Sequence, residues 1–137
     1  MESATKALIE GYIQKAEKKM DVAEKLLKSS DYEDAVSRAY YAVYHATQAL
    51  LLTEGEKAET HKGVVTLFGL LFVKTGKFDK KMGRYLANLK DDRETGDYEI
   101  FSFLDKESAE SAISEAREFI AAATSYLQKI LERNRGT

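Results

Sequence analysis

Not one of the 137 residues is proline. Few features limit a fold more, because proline lacks an N–H and its ring strikes the preceding turn of a helix. A chain without it is free to run in long unbroken helices. Its abundant alanine, leucine, lysine and glutamate favour them locally. The apolar residues agree. Across residues 4–28, Leu8, Ile9, Tyr12, Ala16, Met20 and Ala23 recur at helical spacing, joined by Ile13, Leu26 and Leu27. Nowhere do Val, Ile and Thr alternate with polar residues over the length of a strand.

The same period predicts four more helices. After "SSDY", with Asp31 as the expected N-cap and Glu33 and Asp34 in the first turn, a second helix runs from Tyr32 to Thr53 and ends near Gly55. It is apolar or aromatic around much of its circumference, which suits a central helix or one shared between subunits. Thr60 caps a third helix that closes at Gly76. Asp79 caps a fourth that frays near Gly96, and a fifth covers residues 105–133. The expected fold is all-α: an antiparallel up-down bundle of about five helices, with residues 1–137 as a single domain. The first helix is expected to bury Leu8, so that Leu8→Glu unfolds the chain.

Composition removes several classes of function. With no cysteine, disulfides and thiolate metal sites are excluded. No basic stretch followed by an apolar run opens the chain, and no segment reaches the ~20 apolar residues of a membrane span. A cytoplasmic location and no membrane partner are expected. A net charge of −2 and a pI near 5.8 argue against a general coat for nucleic acid and against duplex DNA. Local imbalance remains: Lys74–Arg93 is mainly basic and Glu94–Glu118 mainly acidic. Either ordinary solvated faces or complementary surfaces of a dimer account for that.

The chemistry concentrates in "SRAYYAVYHATQALL", Ser37 to Leu51. This apolar stretch nevertheless holds an arginine, three tyrosines and one of the two histidines. Arg38 and His45 are seven residues apart. They fall within about 20° of one helix face and about 10.5 Å apart along the axis. Tyr41 lies between them, and Tyr40 and Tyr44 form an i, i+4 pair at the flank. One reading is structural: Arg38 pairs with an acid on a neighbouring helix, His45 is a satisfied core histidine and the tyrosines pack. The other is catalytic. A histidine moves a proton, an arginine fork holds a phosphoryl group, and together they suit RNA cleavage by the 2′-hydroxyl. Ten ångströms is too far for one site on one helix. Two copies packed antiparallel bring Arg38 of one toward His45 of the other, so this reading predicts a homodimer. No phosphate loop, serine elbow or metal-ligand spacing competes, so no metal or other cofactor is expected.

Taken with "HKGVVTLFGLLFVKTGKFDKKMGRYLANLKDDRETGDYE", the stretch from Asp31 to Leu51 resembles the HEPN superfamily, closest to an uncharacterised HEPN-like branch. The likeness rests on the "SRAYYAVYHA" core, the "HKG" helix start, the "FVKTGK" turn and the "R…GDY" element, over about residues 31–99. The resemblance implies a homodimeric helical bundle binding or cleaving RNA or a nucleotide. It implies a metal-independent endoribonuclease toxin of a toxin–antitoxin or defence system, using an Arg-x(4–6)-His motif and neutralised by a nucleotidyltransferase antitoxin. The alternative it implies is a non-catalytic partner module for a minimal nucleotidyltransferase. On this sequence the catalytic pair is Arg38 and His45, with Tyr41, Arg93 and Tyr98 contacting substrate. In the toxin branch the arginine and histidine stand on a later helix, before a tyrosine. Here that element reads "RETGDY", with Asp97 where the histidine is sought. Arg93, Asp97 and Tyr98 then read either as a binding element or as a helix end closed by Gly96.

Overall fold

The computed structural model describes residues 1–98 and 104–135, with the backbone alone at 97, 98, 134 and 135. Five helices follow one another: α1 (Ser3–Lys28), α2 (Tyr32–Leu52), α3 (His61–Phe68), α4 (Lys80–Tyr98) and α5 (Lys106–Arg135). No strand occurs among the described residues. The expected all-α bundle is what forms. α3 runs on through one π-helical turn, Gly69–Val73, in which Lys74 N–H reaches back to Gly69 C=O at 2.8 Å.

The helix ends follow their local chemistry. Thr60 Oγ1 accepts from Gly63 N–H at 2.9 Å, and Asp79 Oδ1 from Lys81 N–H at 2.9 Å. Asp105 Oδ1 accepts from Ser108 N–H at 2.8 Å. Gly55 (φ 69) closes α2: its N–H bonds Leu52 C=O, and Glu56 N–H bonds Leu51 C=O. α1 closes through the same hydrogen-bond pattern, but at Ser30 (φ 64), a left-handed position without glycine. Two expectations fail here. Asp31 does not cap α2 with its side chain, because Ser29 Oγ donates to that carboxylate at 2.6 Å. Gly96 does not end α4, which continues to Tyr98. It sits inside the helix because a Cβ there would stand 3.0 Å from Leu104 Cδ1 and 3.6 Å from Glu33 Cβ.

α2 is the central helix and packs against α1, α3, α4 and α5. On its α1 side the core is fine-grained: Ile9, Ala16 and Ala23 are sealed, as are Ala35, Ala39 and Ala42. Small residues let the two backbones approach. Elsewhere the core is aromatic, with the Phe68 ring meeting Phe72, Phe78 and Phe119 at 5.7, 5.5 and 5.2 Å. Leu8 corrects the reading of α1. It is 55% exposed, whereas its neighbour Ile9 is sealed. One residue is 100° of helix, which carries Leu8 off the buried face. With Ala4, Ala7 and Gly11 it lines an open apolar groove, so Leu8→Glu removes no core packing.

Candidate functional site on the open strip of the central helix

α2 is not covered all round. Arg38 is exposed, and Ser37, Tyr41, Tyr44 and His45 are only half-buried. At 100° per residue these five fall within an arc of about 120°. Between Ala35 and Leu51 the strip is therefore the one uncovered face of the helix. α1 forms one edge of it, and α3 with α4 the other.

The α1 edge is cationic. Lys15, Lys18 and Lys19 stand at i, i+3 and i+4, so they share a helix face. They line a shallow pocket with Val22 and Arg38, and none of these lining residues is acidic. His45 lies farther along the same edge. Its ring stacks on Tyr12 at 6.0 Å and meets Tyr44 edge-on at 5.5 Å. Its Nδ1 is buried and has no hydrogen-bond partner among the described residues. Burial, then the charges of Lys15 and Lys19, push its pKa down to about 4. At neutral pH the imidazole is uncharged, and an anion arriving between it and the lysines raises its proton affinity.

The opposite edge holds the other histidine. Tyr40 is fully buried, and its hydroxyl lies 2.6 Å from His61 Nδ1. Burial raises the pKa of that phenol, with Arg93 opposing, so the hydroxyl keeps its proton. The two groups share one hydrogen bond, whose direction follows the His61 tautomer. The rings of Tyr40, Tyr41 and Tyr44 surround His61 at 5.5, 6.1 and 5.2 Å. The Arg93 guanidinium lies 5.6 Å from the Tyr40 ring centre and 5.3 Å from that of Tyr41. Burial lowers the pKa of His61, helped by Arg93 and Lys90 and opposed by Glu94. Lys90 Nζ donates to Glu94 Oε1 at 2.8 Å.

Tyr41 and Tyr44 connect the two edges. Tyr44 touches both His45 and His61, and Tyr41 touches both His61 and Arg93. Gln48, 3% exposed, holds the strip's end. Its Nε2 donates to the Tyr44 hydroxyl at 3.1 Å and to Ala58 C=O at 2.9 Å, which pins the chain leading into α3.

Of the residues singled out in the sequence, Arg38, Tyr41 and His45 stand on the strip itself, and Arg93 stands beside Tyr41. The side chain of Tyr98 lies outside the described residues. Arg38 and His45 occupy the same edge one above the other. Sequence reasoning missed the three lysines, which read as an ordinary solvated face, and His61, whose neighbours come from two other helices. The one available signal was the "HKG" start of α3, which fixes His61 at the first position after the Thr60 cap. No group of three or more His, Asp or Glu side chains able to hold a metal occurs among the described residues. Among them no helix is long and apolar enough to cross a membrane.

An all-helical bundle whose central helix opens one aromatic strip, edged by cations and two neutral histidines, defines the class. The HEPN domain model matches residues 9–127, and the chain belongs to that family. It is 35% identical over 127 residues to "Putative toxin MJ0142" of Methanocaldococcus jannaschii, covering 93% of this chain and 86% of that protein. "Putative toxin MJ0605" of the same organism is 37% identical over 123 residues, 90% of this chain and 91% of that one. A UPF0332 protein of Thermotoga maritima is 34% identical over 125 residues, covering 91% and 92%. Among solved structures, TT1696 from Thermus thermophilus shares the fold. It aligns with a TM-score of 0.69 over 85% of this chain and 96% of that one, at 18% identity.

Proposed function

We propose that this chain is an RNA-cleaving HEPN module of the toxin class, a metal-independent endoribonuclease working on the open strip of α2. The observation that carries the reading is the grouping of Arg38 with Lys15, Lys18 and Lys19 on the edge where a neutral His45 stands. A phosphodiester in that pocket meets four cations and no acidic lining residue. His45 takes the proton of the ribose 2′-hydroxyl as its oxygen attacks phosphorus. The imidazolium returns that proton to the departing 5′-oxygen, leaving a 2′,3′-cyclic phosphate. Arg38 holds the negative charge that builds on the phosphoryl oxygens. The chemistry needs a 2′-hydroxyl, which selects RNA over duplex DNA. Tyr41, Arg93 and Tyr98 serve as substrate contacts.

Arg38 and His45 are about 10.5 Å apart along one helix. The working site is therefore a homodimer in which two α2 strips pack antiparallel and each Arg38 faces the other copy's His45. Two relatives carry toxin in their names, which supports a toxin role; the nucleotidyltransferase antitoxin in this reading comes from the family resemblance alone. The test is cleavage of a mixed RNA pool in EDTA by wild type, Arg38→Ala and His45→Ala, each first shown to be helical and of equal oligomeric state. Cutting by wild type alone is the expected result. Equal cutting by all three removes the assignment of the pair.

A second reading, a non-catalytic partner module for a minimal nucleotidyltransferase, is favoured by the open apolar groove at Ala4, Ala7, Leu8 and Gly11 on α1. It replaces the first if no protein in that set cuts RNA.

A further inference from the structure

α1 separates its charges by flank. Between residues 10 and 25 its bases fall within an arc of about 120°, on the flank that meets the open strip. Its acids fall within about 60° on the other flank. Three of them, Glu17, Asp21 and Glu24, line a groove of about 380 Å³ between α1 and α5. We infer that this groove docks a basic amphipathic helix of a partner protein, with apolar side chains seated over Met20 and Ile120 and with lysines or arginines meeting Glu17 and Asp21.

Three observations carry the inference. First, the groove has the shape of a helix seat. Its α5 wall runs from Arg117 to Gln128, about 16 Å of helix. Ala121, Thr124 and Ser125 keep that wall low, so a guest backbone can come close. Met20 and Ile120, 5% and 8% exposed, give it an apolar floor. Apolar floor with polar walls is how a groove takes an amphipathic helix. Second, its charge is uncompensated. Arg117 is the one base among the lining residues, and it is paired with Glu24. Glu17 and Asp21 are exposed and make no ion pair among the described residues. Two free carboxylates repel a phosphate backbone and attract a cationic side chain, so the charge selects a basic protein segment over RNA. Third, the α5 hydroxyls are not used up by their own helix. Thr47 and Thr66 turn theirs onto the carbonyl four residues back. Thr124 and Ser125 make no hydrogen bond among the described residues, which leaves both hydroxyls to a guest.

A second copy of this chain fits less well. Its basic flank would have to enter the groove, and such a head-to-tail contact does not close into a dimer. Docking at the groove is independent of RNA cleavage. It occupies the acidic flank of α1 and leaves Arg38 and His45 uncovered on the other side.

The test follows the backbone amides of nitrogen-15-labelled protein by NMR during titration with a synthetic alanine-based peptide. The peptide has about 18 residues, enough to hold a helix, with leucines along one face and arginines beside them. A control peptide carries glutamate in place of each arginine. The arginine peptide should move the amides of Ala121, Thr124, Ser125 and Gln128 most, and the glutamate peptide should move none of them. Glu17→Lys with Asp21→Lys, which reverses the charge, should weaken binding about tenfold. Ala121→Trp, which fills the groove, should do the same. All three positions are exposed, so the fold is kept. Glu56→Lys with Glu59→Lys, on exposed residues elsewhere, should leave affinity unchanged. No binding, equal binding of both peptides, or the largest shifts at the acidic cleft between α4 and α5 overturns the inference, and this map is read on wild type whatever a variant does. A fall in the protein's own sedimenting mass on Ala121→Trp identifies a second copy as the occupant and overturns it too. RNA cleavage, present or absent, alters none of these readouts.

Discussion

At the scale of single residues, the two histidines differ in what holds them. His61 has a buried hydroxyl on one nitrogen, and His45 has an apolar seat between Tyr12 and Tyr44. The seat of His45 makes stability depend on pH. Well above pH 6.5 the imidazole is neutral folded or unfolded, and it contributes no slope. Between pH 6.5 and about 4 the unfolded chain takes up a proton that the folded chain refuses, so stability falls as pH falls. The loss levels off below about 4. Allowing for partial exposure, it amounts to something on the order of 1–2 kcal/mol. Urea unfolding at pH 7.5 and 4.5 should therefore show a smaller difference for His45→Gln than for wild type. An identical difference would mean that His45 is solvated in the folded state. Leu8 and Ile9 offer a second comparison. Leu8→Glu, on an exposed side chain, should change stability by no more than about 0.5 kcal/mol. Ile9→Ala, at a sealed position, should cost about 2–5 kcal/mol. Equal losses in the same assay would place Leu8 in a contact that this fold lacks.

At the scale of the helices, ends and faces obey different information. The α1 end turns through Ser30 at φ 64, with Ser30 N–H on Leu27 C=O and Asp31 N–H on Leu26 C=O. A side chain costs free energy in that backbone region and glycine does not. Ser30→Gly should raise stability by about 0.5–1 kcal/mol, read as a higher urea midpoint at unchanged slope. A lower midpoint would mean that the serine side chain has a compensating partner. Caps at Thr60 and Asp79 were legible because each is settled within three residues of itself, whereas Asp105 was read as the first residue of α5 and proves to be its cap. The five helices were legible too, because the apolar period needs no partner to be seen. Asp31 looked like a cap by the same rule and lost its carboxylate to Ser29, a competition one residue pattern does not rank. The width of a buried face was less legible: period alone put Leu8 and Ile9 on the same side, and only the reach of α2 separates them. The open strip was legible in part. Arg38, Tyr41 and His45 share a face by arithmetic on one helix. His61 and Arg93 meet only because α3 and α4 both lean on Tyr40, and crossing angles leave no mark in local sequence.

At the scale of the whole molecule, a formal charge of −2 conceals a division between two faces. Lys15, Lys18, Lys19 and Arg38 gather at the α2 strip. On another side, Asp91, Asp92, Asp105, Glu107 and Glu115 line a cleft between α4 and α5. Burial raises the pKa of Asp92, with Asp91 adding to the effect, and burial raises that of Glu115, with Asp92 and Glu118 adding to it. A polyanion approaching such a molecule is drawn to one face and repelled from the other, so net charge says little about whether RNA binds. The basic residues of Lys74–Arg93 are not the ones that gather, Arg93 on the far edge of the strip excepted. This division yields a measurement. If single-stranded RNA lies along the α1 edge, each phosphate neutralised there releases counterions, and the logarithm of affinity falls with the logarithm of salt at about −0.7 per contact. Four cations set the expected slope at about −2 to −3. It is measured by fluorescence anisotropy with an uncleavable 2′-O-methyl oligonucleotide between 50 and 300 mM salt, concentrations chosen at about the usual range for such titrations. Lys18→Ala with Lys19→Ala should flatten the slope by about 1.4, while paired replacement of the exposed Lys57 and Lys129 should leave it unchanged. Affinity that ignores salt, or a slope that responds equally to both pairs, would mean that RNA is held by the molecule's diffuse charge, and the strip would lose its claim to be the binding face.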